Sequence, residues 1–205
     1  MTVPICPAIV PRETVSALEQ FIELLTRWNR KINLFSRKEG ADLWDRHVLD
    51  SAQLLPLAPE DARTWLDVGS GGGFPGIVCA IIARYQRRPI TFTLVESDRR
   101  KSAFLREAAI RFELPVTVLN ARIEEVALIP QDVISARALA TLDRLLNYTV
   151  PFSHSGTTFL FPKGRQHEME LTEARKSWHM KVIQVPSRTD AEGSILRISE
   201  VNRRS

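Results

Sequence analysis

Cysteine is nearly missing from this chain: Cys6 and Cys79 are the only two among 205 residues. Two thiols so placed build neither a disulfide framework nor a thiolate metal site. Long apolar runs are missing as well. The stretch from Ile77 to Ile82 is closed by Arg84, short of the roughly 18 residues that a bilayer-crossing helix needs. Met1 to Pro7 carry neither the charged start nor the apolar segment of a secretory signal, so a cytoplasmic protein is expected. His47, His154, His167 and His179 are scattered, and no metal cluster or His–Asp base pair stands out. Internal repeats and low-complexity tracts are also wanting. The remainder, 44% hydrophobic and 25% charged, is the composition of a soluble globular protein. Its length suits one α/β domain with a small appendage.

Positive charge is in modest excess, at a formal +4, and its placement is more informative than its size. Arg27, Arg30, Lys31, Arg37 and Lys38 fall within twelve residues that contain no acid, and Arg99, Arg100, Lys101 and Arg106 form a second group. Such clusters focus a potential that can hold phosphates, although a solvated helix face would look the same.

The N-terminal part is helical in pattern. Val15, Leu18, Ile22 and Leu25 recur at three- and four-residue spacing, which predicts an amphipathic helix over about Thr14–Arg30. A second helix is expected over Leu43–Leu55, ended by Pro56 and Pro59. Beyond Asp61 strands and helices alternate. Strands are expected at Thr64–Val68, Ile90–Val95, Pro115–Leu119, Asp132–Ala136, Gly156–Phe161, Lys181–Val185 and Ser194–Val201. Helices are expected at Gly76–Tyr85, Arg99–Phe112, Thr141–Tyr148 and Glu168–Trp178. This alternation argues a doubly wound, mostly parallel α/β sheet. Its last two strands form a hairpin, as in the seven-stranded Rossmann-like sheet of class I methyltransferases. The expected organisation is a helical extension over residues 1–60 on a cofactor-binding unit over 61–205, forming one structural unit.

Between the first strand and its helix, Gly69 to Gly76 hold five glycines in eight residues. Glycine at such a turn permits positive φ and close approach of a ligand to the backbone, the geometry of a nucleotide-binding corner. The dinucleotide fingerprint requires a glycine at the sixth place, where this loop has Phe74. Asp67, just before the loop, suits a cofactor bearing a sulfonium and an ammonium better than a pyrophosphate, and so points to S-adenosylmethionine. Glu96 ends the second strand, where an acid accepts hydrogen bonds from both ribose hydroxyls of an adenosine. After the third strand, Ile123 offers an apolar face to an adenine and Glu124 a partner for its exocyclic amine, unless the acids merely complement a helix start.

The fourth strand runs into Arg137, toward the methyl group and its acceptor. The Asn/Asp-Pro-Pro-aromatic run of many amino-group methylating enzymes is not found there. The cysteine that cytosine carbon-5 chemistry needs is not in evidence either, since Cys79 sits in an apolar helix. A ring nitrogen with a free lone pair, such as guanine nitrogen-7, attacks a sulfonium methyl without losing a proton. Positioning alone, worth roughly 7–11 kcal/mol, then suffices, and no general base is expected.

Several segments together resemble the bacterial ribosomal RNA small-subunit methyltransferase G family: Arg27 to Leu34, Arg46 to Ser51, Asp67 to Gly76, Ile134 to Leu139 and Phe161 to Gly164. The resemblance spans about Phe21 to Val201. It implies an enzyme that methylates nitrogen-7 of a guanine in small-subunit (16S) ribosomal RNA or in the 30S subunit, with adenosylmethionine as donor. By it, Gly69, Phe74, Ile123, Glu124 and Arg137 meet the cofactor; apart from the resemblance, Asp67, Ser70 and Gly71 at the glycine turn and Glu96 at its strand end are expected there too. Arg137, Asn29, Asn33 and His47 become candidates for orienting the acceptor base. Arg27, Arg30, Lys31, Arg37, Arg46 and Lys163 become candidates for contacting RNA. A monomer is expected, with no metal and no membrane partner. The alternatives are a small-molecule methyltransferase on the same fold and a non-catalytic ribosome-assembly factor that binds RNA.

Overall fold

A computed structural model of the chain describes residues 11–35 and 42–204. Cys6, Arg37 and Lys38 lie outside the described residues. Helix α1 (Arg12–Asn29) is followed by a π-helical turn (Trp44–Leu49), a short α2 (Asp50–Ala52) and a 3-10 turn (Leu55–Leu57). The single helix expected over Leu43–Leu55 is thus broken into three pieces. The Ser51 hydroxyl donates to the His47 carbonyl at 2.6 Å, a back-bond that bends helices, and Pro56 removes a helix donor.

The sheet then forms in alternation: β1 (Thr64–Val68), α3 (Gly76–Tyr85), β2 (Thr91–Val95), α4 (Arg99–Arg111), β3 (Val116–Leu119), β4 (Gln131–Ala136), α5 (Leu142–Thr149), β5 (Ser153–Lys163), α6 (His167–Ser177), β6 (Trp178–Pro186) and β7 (Ser194–Arg203). The seven strands lie in the order β3-β2-β1-β4-β5-β7-β6. The first five run parallel, and β7 is antiparallel to both β5 and β6. The switch point between β1 and β4 is where a doubly wound sheet opens a crevice at its strand C-terminal ends.

Each face of the sheet carries a core. On one, α1 packs with α3 and α4 around Phe21, which is fully buried. Its ring lies 5.7 Å from Phe74, 6.1 Å from Phe104 and 6.3 Å from Phe112. Burying a ring of that size stabilises by roughly 1.5–3 kcal/mol. On the other face, α5 and α6 cover Leu66, Ile134, Phe159 and Phe161. No helix among the described residues is long and apolar enough to cross a membrane.

Candidate active site

β1 stops at Val68 because the chain there turns through Gly69, Gly71 and Gly73 at φ of 71°, 52° and 85°, a region that favours glycine. Gly76 is required for a different reason: a Cβ on it would stand 2.7 Å from the Asp67 carboxylate, so only glycine lets α3 start so close to β1. The turn is held from the neighbouring strand. The amides of Gly69 and Ser70 donate to the Val95 carbonyl at 2.9 and 3.2 Å.

Glu96, 8% exposed, clasps the same turn. One carboxylate oxygen accepts from the Gly71 amide at 2.8 Å and the other from the Asp98 amide at 2.8 Å. A carboxylate has about four acceptor positions, so both oxygens keep capacity for a ligand's hydroxyls. Above it opens a cavity of about 370 Å³, lined by Gly69, Gly71, Glu96, Ile123 and Glu124 among others. Five cofactor candidates from the sequence therefore meet in one place. Ile123 is buried beneath the cavity and Glu124 stands exposed at its rim. Lys101, Arg144 and Tyr148 also line it. In the sequence Lys101 stands out only as one of a basic cluster, and Arg144 and Tyr148 come from α5, which the chain reaches only after the fourth strand.

Four other candidates lie elsewhere: Asp67, Ser70, Phe74 and Arg137, the last of which lines a neighbouring cavity instead. Asp67, expected to edge the cofactor cavity, is fully buried beneath the loop. It accepts from the Ser135 hydroxyl at 2.6 Å and from the Gly76 amide at 3.2 Å. Burial pushes its pKa up to about 6, against the opposing donors Ser135, Ser70 and Gly76 and the charge of Arg137. Asp67 organises the turn from below and does not wall the cavity. Ser70 is likewise buried, its hydroxyl donating to the Asp67 carbonyl at 3.0 Å. Phe74, 6% exposed, sits not in this cavity but under Arg137.

A second cavity, of about 480 Å³, lies beyond the end of β4, with Asp50, Arg137, Leu139, Lys163, Ser187 and Asp190 in its wall. Arg137 is its most constrained side chain. Its guanidinium donates to the Arg46 carbonyl at 3.1 Å, pairs with Asp50 at 3.3 Å and meets His47 Nδ1 at 2.6 Å. It also lies 5.2 Å from the centre of the Phe74 ring, on which His47 stacks at 4.9 Å. A guanidinium only donates, so Nδ1 of His47 is the acceptor and carries no proton in this arrangement. Asp50 in turn accepts from Thr189 and Gln53, both at 2.9 Å. The loop between β6 and β7 is thereby latched to the N-terminal helices.

Lys163, expected to meet RNA, is committed inside the fold. Its ammonium donates to the Ala140 carbonyl at 2.7 Å and to Glu170 at 2.8 Å, with only 9% of the side chain exposed. Glu170 also accepts from the Leu142 amide at 2.8 Å. Asn29 is committed too: its side-chain oxygen accepts from the amides of Leu34 and Phe35 at 2.7 and 3.0 Å. It caps the turn after α1 and leaves the acceptor cavity to others. Asn33 is exposed on that turn, next to Leu34, whose carbonyl approaches Gly72. Arg27, Arg30 and Lys31 are exposed. Arg46 is exposed beside Asp42, 3.8 Å away. Arg37 lies outside the described residues. No group of His, Cys, Asp or Glu among the described residues could hold a metal ion.

The sequence profile of the rRNA small subunit methyltransferase G family matches residues 14–196. The chain belongs to that family. It is 50% identical over 198 residues to the ribosomal RNA small subunit methyltransferase G of Acidiphilium cryptum, covering 96% of this chain and 89% of that one. It is also 50% identical to its namesake from Gluconobacter oxydans over 194 residues, or 95% and 97% of the two chains. Among solved structures it superposes on an O-methyltransferase from Bacillus cereus in complex with SAH, with a TM-score of 0.60, 15% identity and coverage of 90% and 91%. A ribosomal protein L11 methylase from Lactobacillus delbrueckii gives 0.56 at 16% identity, over 73% and 76%. At such identity these two structures speak for the fold, a class I methyltransferase sheet.

Proposed function

We propose that this member of the family transfers a methyl group from S-adenosylmethionine to nitrogen-7 of a guanine in small-subunit ribosomal RNA. The observation that carries the reading is the adjoining pair of cavities, which share Leu139 and Ala140 in their walls. The first fits the donor. Its backbone at Gly69 is bare of side chain, Glu96 has acceptor capacity for two ribose hydroxyls, and Ile123 presents an apolar surface to an adenine. Bound there, adenosylmethionine would supply a methyl carried on a sulfonium to a ring nitrogen with a free lone pair.

The protein's part is then binding and orientation. Asp50 and Glu170 are held in ion pairs with Arg137 and Lys163, which suits a cavity that positions a base without deprotonating it. Arg137 orients the base, with His47 and Phe74 fixing the guanidinium. The exposed Arg27, Arg30, Lys31 and Arg46 meet phosphates, and residues 1–60 present the RNA while residues 61–205 hold the donor, the two working as one unit. We place the protein in the cytoplasm, acting as a monomer on small-subunit RNA or the 30S particle.

The test is a strain lacking the gene. Chemical cleavage at 7-methylguanine in small-subunit RNA is expected to vanish there and to return with the gene. Purified protein is expected to transfer label from the donor to 30S particles or their RNA. Label passing only to small molecules would leave the first alternative, and none at all the second.

A further inference from the structure

Leu139 is a large apolar side chain left 43% exposed at the junction of the two cavities, whose walls it enters from both sides. It rides at the tip of the segment joining β4 to α5. The residue before it, Ala138, takes a left-handed φ of 53°. The segment is clamped on either side of the tip. Arg137 is gripped by Asp50 and His47, Ala140 is held through its carbonyl by Lys163, and Leu142 is held through its amide by Glu170. The tip in turn covers Gly69: a Cβ there would fall 2.9 Å from Leu139 Cδ1. An exposed leucine costs little by itself. What needs a reason is the ring of ion pairs and hydrogen bonds that fixes it over the glycine the donor must approach.

We infer that Leu139 is a positioning residue for methyl transfer, an apolar partition that sets how donor and acceptor face one another and keeps water from between them. The inference rests on the reading of the two cavities as donor and acceptor sites. In-line transfer requires the reacting atoms about 3–3.5 Å apart, and a misplacement of about 1 Å can cost a hundredfold in rate. A partition of the wrong size therefore acts on turnover more than on binding.

The experiment uses the full chain with 30S particles or small-subunit RNA and compares L139A and L139M with the unaltered protein. Melting temperature, donor Kd by calorimetry, KM for RNA and kcat are measured together. L139A is expected to lower kcat at least tenfold while Kd and KM stay within threefold, and L139M, close in volume, to recover most of the loss. A kcat for L139A within twofold of the unaltered protein overturns the inference. So does a fall in donor affinity as large as the fall in kcat, which would make Leu139 only a wall of the first cavity. L139V gives the same decision should L139A not fold. Failure of the unaltered protein to methylate RNA would instead remove the functional reading beneath it.

Discussion

Glu96, at the end of β2, accepts the main-chain N–H of Gly71 at 2.8 Å, from the turn that ends the neighbouring strand β1. The carboxylate that lines the first cavity therefore also shapes it. Replacement by alanine removes ligand contacts and the clasp on the turn together. Hydrogen bonds to a charged group contribute about 1.5–3 kcal/mol, so Glu96→Ala is expected to weaken adenosylmethionine binding roughly ten- to a hundredfold. Glu96→Gln, which keeps one acceptor oxygen, should lose less. Calorimetry decides, and unchanged affinity in the alanine variant would remove Glu96 from the site.

Asp67 gives a pH dependence of stability. Its pKa in the folded protein is about 6, raised from 3.8 by burial, so between these values the folded state binds the proton and the unfolded state does not. Stability from this group is accordingly greatest at low pH and falls as pH rises from about 4 to about 6. The shift corresponds to roughly 3 kcal/mol at most. Asp67→Asn abolishes the titration. The stability of the wild type relative to the variant is expected to fall across that window and to stay level above it. Denaturant unfolding at pH 4, 5, 6 and 7 reads the slope, and a relative stability that rises with pH would contradict it.

Lys163 is expected to matter for stability and not for RNA. Removing one partner of a pair buried this far costs on the order of 3 kcal/mol, so Lys163→Met should lower the denaturation midpoint markedly. Its RNA affinity should keep the wild-type dependence on salt. A reduced salt slope with unchanged stability would restore the lysine to the RNA surface.

The reverse holds for Arg27, Arg30 and Lys31. Their joint replacement by alanine leaves the core untouched and is expected to weaken RNA binding. The slope of log K against log salt should fall by about 0.7–0.9 for each phosphate that the variant no longer neutralises. Filter binding across a salt series measures it. Asn29→Ala is the control: it frees two capped amides, destabilises the turn by about 1 kcal/mol and leaves the slope alone.

What the sequence disclosed depended on how local the cause was. β1 and α3 begin and end where the pattern places them, because the glycine turn between them fixes both boundaries. β5 starts earlier than expected, at Ser153. His154, Ser155 and Gly156 look like loop in isolation, and only a neighbouring strand makes them extended: Gln131 pairs with Ser153, and Thr157 donates to the Gln131 carbonyl at 2.6 Å. The site divides in the same way. Glu96, Ile123 and the glycines follow from position at strand ends. Asp67 was placed on the wrong side of the turn because its partner Ser135 stands 68 residues away in sequence and beside it in the sheet register. Lys163 carried a charge that suggested RNA, and its real partner, Glu170, comes from the next helix. Arg137 was legible as important, but the grip of Asp50 and His47 on it was not, since nothing in the spacing brings the early helices to the end of β4.

Asp50 comes early in the chain, Arg137 past its middle and Thr189 near its end, yet a single carboxylate joins all three. A chain cut short before Thr189 would therefore keep the pairing of Asp50 with Arg137 and lose the hydroxyl that ties the closing hairpin to it.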